Sequence, residues 1–207
     1  MRIIKILIFL FSVSVFAQQT PISVSAVKDF REHVERQADE IQTMSGDFLQ
    51  VKYIQMMQAE AVSSGKLYFK SPDILKWEYY KPYNFKILFK DAQLHIDDEG
   101  EKSVTDLGSN KLFEKLFSLI SGSMNGKLLA DTKNFDFTYV RVNNDKMVVL
   151  IPRDPSLRQM FAQIVLIFNS KNLVNSVKLV EDSGDFTEIY FKNVQINQPI
   201  DPAIFKD

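Results

Sequence analysis

Cysteine is absent from this 207-residue chain, histidine occurs twice and tryptophan once. No disulfide can form, and a lipoprotein-type leader, which needs an acylatable cysteine at its cleavage point, is excluded. Two histidines without cysteine give no basis for a zinc site, so neither a metal nor a cofactor is expected. Glycine and proline are sparse, at seven each, and no Gly-rich phosphate loop occurs. Clustered basic charge is missing along the chain as well. The formal charge is −1 with both signs interspersed, so the phosphate-neutralising contribution behind nucleic-acid binding has no source.

Long hydrophobic runs are missing with one exception. Ile3 to Val15 is apolar, carries Arg2 and Lys5 at its start, and closes on Val15, Phe16 and Ala17. A helix needs roughly 20 residues to cross a hydrocarbon layer of ~30 Å, so this run is too short to span. It reads as a signal peptide over residues 1–17, cleaved after Ala17 and before Gln18. Residues 18–207 are expected to form a single domain, large enough to bury a core without covalent staples. Losing Arg2 and Lys5 moves the formal charge from −1 to −3.

What the chain does have is apolar bulk: 17 Phe and 7 Met, with 45% of residues hydrophobic. From Ser23 to about Thr43, Val24, Val27, Phe30, Val34, Ala38 and Ile41 recur at steps of three and four, which predicts an amphipathic helix ending before Gly46. From Asp47 the period becomes two. Leu67 and Phe69, then Leu75, Trp77 and Tyr79, then Phe85, Ile87 and Phe89 alternate with polar or charged residues, as half-buried strands do. Ser71-Pro72-Asp73 and Lys81-Pro82-Tyr83 interrupt them as turns.

The alternation resumes at Phe135, Phe137 and Tyr139; Met147, Val149 and Ile151; Ile164, Leu166 and Phe168; Val177 and Leu179; Ile189 and Phe191. Hairpin signals at Asn143 to Asp145, Asn169 to Asn172 and Asp182 to Asp185 separate them. One very apolar helix, Asn110 to Ile120, breaks the series, with Ser121-Gly122-Ser123 and Asn125-Gly126 as a joint after it. The class is therefore mainly β (α+β): two helices and a large antiparallel sheet that must curl or be covered on its apolar face.

Residues for covalent chemistry do not assemble. His33 falls beside the helix stripe, where solvent is the expectation, and His95 alternates with Leu94 and Ile96 on the opposite face of a strand. Gly122-Ser123-Met124-Asn125-Gly126 has Met124 where a nucleophile elbow needs serine. Asp97, Asp98 and Glu99 before Gly100 lack the later ligands of a calcium loop and read as a charged hairpin tip. A lipid hydrolase would need a nucleophile and base in contact, and none is evident. Periodicity leaves open whether Phe and Met fill the space under the sheet or line a ligand cavity.

Across Gly65, Leu67, Phe69, Pro72, Trp77 and Pro82, and on to Gly184, Asp185, Phe186, Thr187 and Phe205, the chain resembles the LolA-type outer-membrane lipoprotein carriers. The likeness covers nearly the full length, and its most specific block runs from Gly65 to Pro82. The resemblance implies an incomplete, strongly curved antiparallel β-barrel with an apolar cavity closed by helices. It implies a non-enzymatic, monomeric periplasmic carrier of acylated lipoproteins or lipids. Partners would be an inner-membrane ABC-type releasing complex and an outer-membrane acceptor. Leu67, Phe69, Leu75, Trp77, Tyr79, Phe85, Ile87 and Phe89 are then the expected cavity lining, and Leu112, Phe113, Leu116, Phe117 and Ile120 the lid helix. The sequence departs from the family at Ser71, where characterised carriers have a basic residue that helps hold the lid. Lys70 is adjacent but alternates to the other face. Ser71 leaves room for a second reading, a carrier or sensor of another acylated envelope lipid.

Overall fold

The computed structural model describes residues 19–106 and 111–206, without the side chains of Gln19 and of 111–116. The leader over 1–17 and its cleavage after Ala17 lie outside the described residues, as does Asn110. So do the side chains of Leu112, Phe113 and Leu116.

Among the described residues twelve strands form one antiparallel sheet. In chain order they are β1 (Gln19–Pro21), β2 (Thr43–Ile54), β3 (Ala59–Lys70), β4 (Ile74–Lys81), β5 (Phe85–Lys90), β6 (Gln93–Asp98), β7 (Glu101–Asp106), β8 (Phe135–Val142), β9 (Asp145–Pro152), β10 (Gln163–Phe168), β11 (Val174–Val180) and β12 (Phe186–Ile196). Spatially the order is β1-β8-β9-β10-β11-β12-β2-β3-β4-β5-β6-β7. Two runs of hairpins are thus joined where β12 pairs with β2, and the curved sheet stays open between β7 and the β1/β8 edge. Three helices, α1 (Val24–Glu40), α2 (Lys111–Asn125) and α3 (Pro155–Arg158), complete the described elements, with short 3-10 turns. No helix among the described residues is long and apolar enough to cross a membrane.

The turns follow the sequence. Asn143, Asn172 and Gly184 take positive φ at the β8–β9, β10–β11 and β11–β12 hairpins, the conformation Asn and Gly tolerate best. At the β6–β7 tip, Asp97 Oδ1 accepts from the Gly100 amide at 2.8 Å, so the acidic cluster is a hairpin tip. Ser71-Pro72 and Lys81-Pro82 are cis and sit in the two turns flanking β4.

Some expectations change. Ser23 is the N-cap of α1, its hydroxyl accepting from the Ala26 amide, while Thr20 and Pro21 belong to β1. The helix ends at Glu40, and Gly46 lies inside β2. Helix α2 does not stop at Ile120. It continues through Ser121-Gly122-Ser123 to Asn125, and Gly126, at φ +83°, ends it. Leu119 and Met124 extend its apolar stripe into that segment, and their burial outweighs the weak helix propensity of Gly and Ser. A third helix, α3, is capped by Asp154 with Pro155 in its first turn. On β9 the buried residues are Val148, Leu150 and Pro152, the first two 0% exposed, while Ile151 is 38% exposed. Met147 to Ile151 is uniformly apolar, so alternation could not choose a face. Pairing with β10, which puts Leu150 opposite Ile164 and Val148 opposite Leu166, chose it.

Candidate functional site

Strand register builds the site from the predicted residues. Phe69, Leu75 and Phe89 stand side by side across β3, β4 and β5, and Leu67, Trp77 and Ile87 form the next rung. Tyr79 and Phe85 form a third with Gly65. A period of two puts all eight apolar side chains on the inner face. Leu67, Phe69, Leu75, Trp77 and Phe89 are buried at 0–6% exposure, and Tyr79, Phe85 and Ile87 are half-buried. Leu94 and Ile96 continue the rungs onto β6.

Gly65 is what lets the third rung close. A Cβ there would run into the Glu78 carbonyl oxygen and come within 2.7 Å of Phe48 Cζ. The absent side chain leaves room for the Phe48 ring, which sits 4.4 Å from Trp77 and 5.0 Å from Tyr79, centroid to centroid. Phe191 on β12 meets Trp77 at 6.4 Å. Phe48 and Phe191 are members of this aromatic floor that were not among the expected lining residues. Phe48 shares its strand face with Gly46 and Gln50 and lies opposite Gly65, a pairing of β2 with β3 that local alternation does not show.

Two helices cover the inner face. Helix α1 buries Phe30, Val34 and Ala38, with Phe30 edge-on to Phe168 at 5.1 Å. The Val24 end of its stripe is 88% exposed and does not join the core. Helix α2 faces the sheet with Leu119 and Met124, 3% and 4% exposed, and with Phe117 and Ile120 packed on the same core. Phe117 lies 5.0 Å from Phe89. Of the five expected lid residues, Phe117 and Ile120 are therefore placed against the sheet. Between Phe117 and Asn125, Ser121 Oγ donates within the helix to the Phe117 carbonyl and Asn125 Oδ1 accepts from the Lys127 amide. Rings and aliphatic chains make the contact with the sheet.

Clefts flank α2. One of about 390 Å³ opens between the end of α1, the β3–β4 turn and α2, lined among others by Ile41, Phe69, Ser71, Phe117 and Lys127. A second of about 290 Å³ lies between α2 and the Phe135, Asp154 and Leu157 region. Ser71 thus borders the cleft beside α2, its amide donating to the Gln42 carbonyl at 2.8 Å. Lys70 is exposed on the other face. Among the described residues the cation lining this cleft is Lys127, paired with Asp39 of α1 at 3.1 Å.

Polar groups are few on the inner face, and the environment keeps them neutral. The Tyr79 hydroxyl donates to Gln50 Oε1 at 3.0 Å. Burial raises its pKa, with Trp77 and Gln50 opposing the shift. Burial likewise raises Tyr139. His33 is exposed on α1, and His95 sits on the outer face, opposite Leu88 and Val104. Among the described residues no group of His, Cys, Asp and Glu could hold a metal ion.

An open antiparallel sheet whose apolar inner face lies under two helices defines a class of mainly β proteins with a sheltered apolar face. The family comparison makes this specific. Residues 39–207 match the model of the outer membrane lipoprotein carrier protein LolA, and the chain belongs to that family. It is 23% identical over 168 residues to an outer-membrane lipoprotein carrier protein of Methylococcus capsulatus, covering 81% of this chain and 78% of that one. A carrier of the same name from Nitrosospira multiformis is 23% identical over 205 residues, covering 98% and 92%. In fold, the chain is similar to a chain of the Pseudomonas aeruginosa MucA/MucB complex, with a TM-score of 0.52 and 12% identity, over 86% of this chain and 61% of that one. The Mycobacterium tuberculosis lipoprotein LppX aligns with a TM-score of 0.50 and 8% identity, over 86% and 99%.

Proposed function

We propose that this protein carries the acyl chains of lipoproteins on the inner face of its sheet and moves them through the periplasm from the inner to the outer membrane. The observation that carries the reading is the joint between α2 and the β3–β6 wall. It is made of Phe117 against Phe89, with Ile120 packed on the same core, contacts that are apolar and non-directional. Acyl chains can replace them with little change in the area removed from water. A directional hydrogen-bonded joint would lack that property, because each bond broken without a substitute costs about 1–3 kcal/mol.

The need for such a face follows from transfer energies. At about 0.8 kcal/mol per methylene, exposing a chain of ~16 carbons costs ~12 kcal/mol, which forbids unassisted passage through water. The lining would be Leu67, Phe69, Leu75, Trp77, Tyr79, Phe85, Ile87 and Phe89, with Leu112, Phe113, Leu116, Phe117 and Ile120 on the lid. No side chain performs covalent chemistry in this scheme, and the protein acts as a monomer. Loading would fall to an energised inner-membrane ABC-type complex, and delivery to an outer-membrane acceptor whose own cavity binds the chains more tightly.

The test is mass spectrometry of what co-purifies with the protein captured from its native envelope. Triacylated lipoproteins are the expected cargo. A free lipid in their place would keep the carrier and replace its load, an outcome in keeping with Ser71. An empty protein that takes up no hydrophobic probe would overturn the proposal.

A further inference from the structure

The outer face of the same wall carries a second concavity. A trough of about 610 Å³ runs across β4, β5, β6 and β7, lined among others by Lys76, Lys86, Leu88, Lys102, Val104 and Lys206. Its far wall is the C-terminal 3-10 turn, Pro202–Phe205. That turn is fastened by Lys76 Nζ donating to the Ile204 carbonyl at 3.0 Å and by Phe205, 5% exposed. Leu88 forms a buried floor at 4% exposure, and Val104, 57% exposed, forms the apolar lip on β7. Four lysines and one aspartate line the trough. Asp97 engages Lys86 at 3.1 Å, and Glu78 lies 3.9 Å from Lys76, so positive charge remains in excess.

Among the described residues β7 is the last strand of the sheet, and no further strand of the sheet pairs with its outer edge. Lys102 and Val104 project from this edge into the trough. We propose that the edge of β7 and the lysine trough together dock an extended segment of a partner polypeptide, added as a thirteenth strand, whose trough-facing side chains alternate acidic and apolar. Main-chain bonds to a sheet edge give such docking its affinity and alternate side-chain pockets its specificity. Opposite Lys102 an acidic side chain is favoured and a basic one repelled; opposite Val104 a β-branched one is favoured. Lysine on an edge strand also discourages pairing between copies of this chain. A flat anionic membrane surface neither enters a trough nor satisfies a strand edge, and a bare phosphate leaves the Leu88 floor unused.

The trough lies on the opposite face of the sheet from Trp77, Ile87 and Phe89, so the partner docks without competing for the inner face. The inference is independent of what the inner face binds.

The test uses the full chain and an end-capped peptide Thr-Glu-Thr-Val-Thr-Glu-Thr, with a control in which lysine replaces both glutamates. Amide NMR should show saturable shifts confined to β6, β7 and the C-terminal turn, and exchange of β7 amides should slow at least tenfold at saturation. The control should not bind. Lys86→Gln with Lys102→Gln should weaken binding tenfold or more while circular dichroism and uptake of a fluorescent acyl probe stay unchanged. Equal binding of the control, or shifts without slowed β7 exchange, would overturn strand addition. Binding of phosphatidylglycerol vesicles that the double variant abolishes, with no peptide binding, would overturn it in favour of a membrane surface.

Discussion

The two halves of the sheet bury their inner faces to different depths. On the β9–β10 side, beneath α1, Val148, Leu150, Ile164, Leu166 and Phe168 are all 0% exposed. On the β4–β6 side, where α2 meets the wall through Phe117, Leu75 reaches 0%, but Tyr79, Phe85, Ile87 and Ile96 stay half-buried, and a cleft of about 390 Å³ opens beside Phe69 and Phe117. The strands and the residue types are alike, so the difference lies in the cover. Helix α1 is drawn into its half by Phe30 and Val34 and is crossed by Arg31 donating to the Leu129 carbonyl at 3.1 Å. Helix α2 rests on side-chain contact alone over Phe117 to Met124. One half is sealed, and the other is the half to which the proposed function assigns the ligand.

Substitutions should separate the halves. Phe168→Ala removes a fully buried ring in the sealed half and should lower unfolding free energy by about 3–5 kcal/mol in denaturant titration, with acyl-probe affinity in the still-folded fraction unchanged. Gly65→Ala places a methyl against the Glu78 carbonyl and the Phe48 ring, and should cost about 1–3 kcal/mol while shifting near-ultraviolet dichroism from Trp77. Ile87→Ala, half-buried in the looser half, should cost only about 1–2 kcal/mol yet reduce acyl-probe affinity more than Phe168→Ala does. Equal affinity losses for the two would erase the proposed division. Smallest is Lys127→Gln, which breaks an exposed pair with Asp39 and should change stability by less than about 1 kcal/mol.

The inner tyrosines give the comparison a pH axis. Tyr79 and Tyr139 have folded pKa values raised by burial, whereas the unfolded chain ionises its tyrosines near the ordinary value of about 10. Their contribution to stability is therefore complete below that value and declines as pH rises through the folded values. Stability measured from neutral to strongly alkaline pH should fall above about pH 10. Replacing both residues with Phe should flatten that decline, and an unchanged decline would show that other groups control it.

Much of the fold could be read from period and punctuation. Alternation located β3, β4, β5 and β10, and Asn-, Gly- and Pro-rich turns located the hairpins, because those signals are local. Two features were not local. Met147 to Ile151 offers five apolar residues in a row, so only pairing with β10 assigns their faces. The Ser121-Gly122-Ser123 stretch has the composition of a joint, but burial of Leu119 and Met124 carries α2 through it. The eight lining residues were legible as one face because their spacing is strict. Phe48 and Phe191, supplied by the distant β2–β12 pair, were not. Nor was the lysine trough, since Lys76, Lys86, Lys102 and Lys206 are scattered in sequence and gathered only by the β4–β7 register and the returning C-terminus.

The most direct test of the account uses the one tryptophan in the chain. Trp77 lies 6% exposed in the middle rung of the half assigned to the lipid. Titration with acyl chains brominated near the methyl end should quench its fluorescence saturably, and the matching unbrominated chain should bind without quenching. Tight binding of the brominated chain with Trp77 emission undiminished would place the lipid elsewhere and contradict the account.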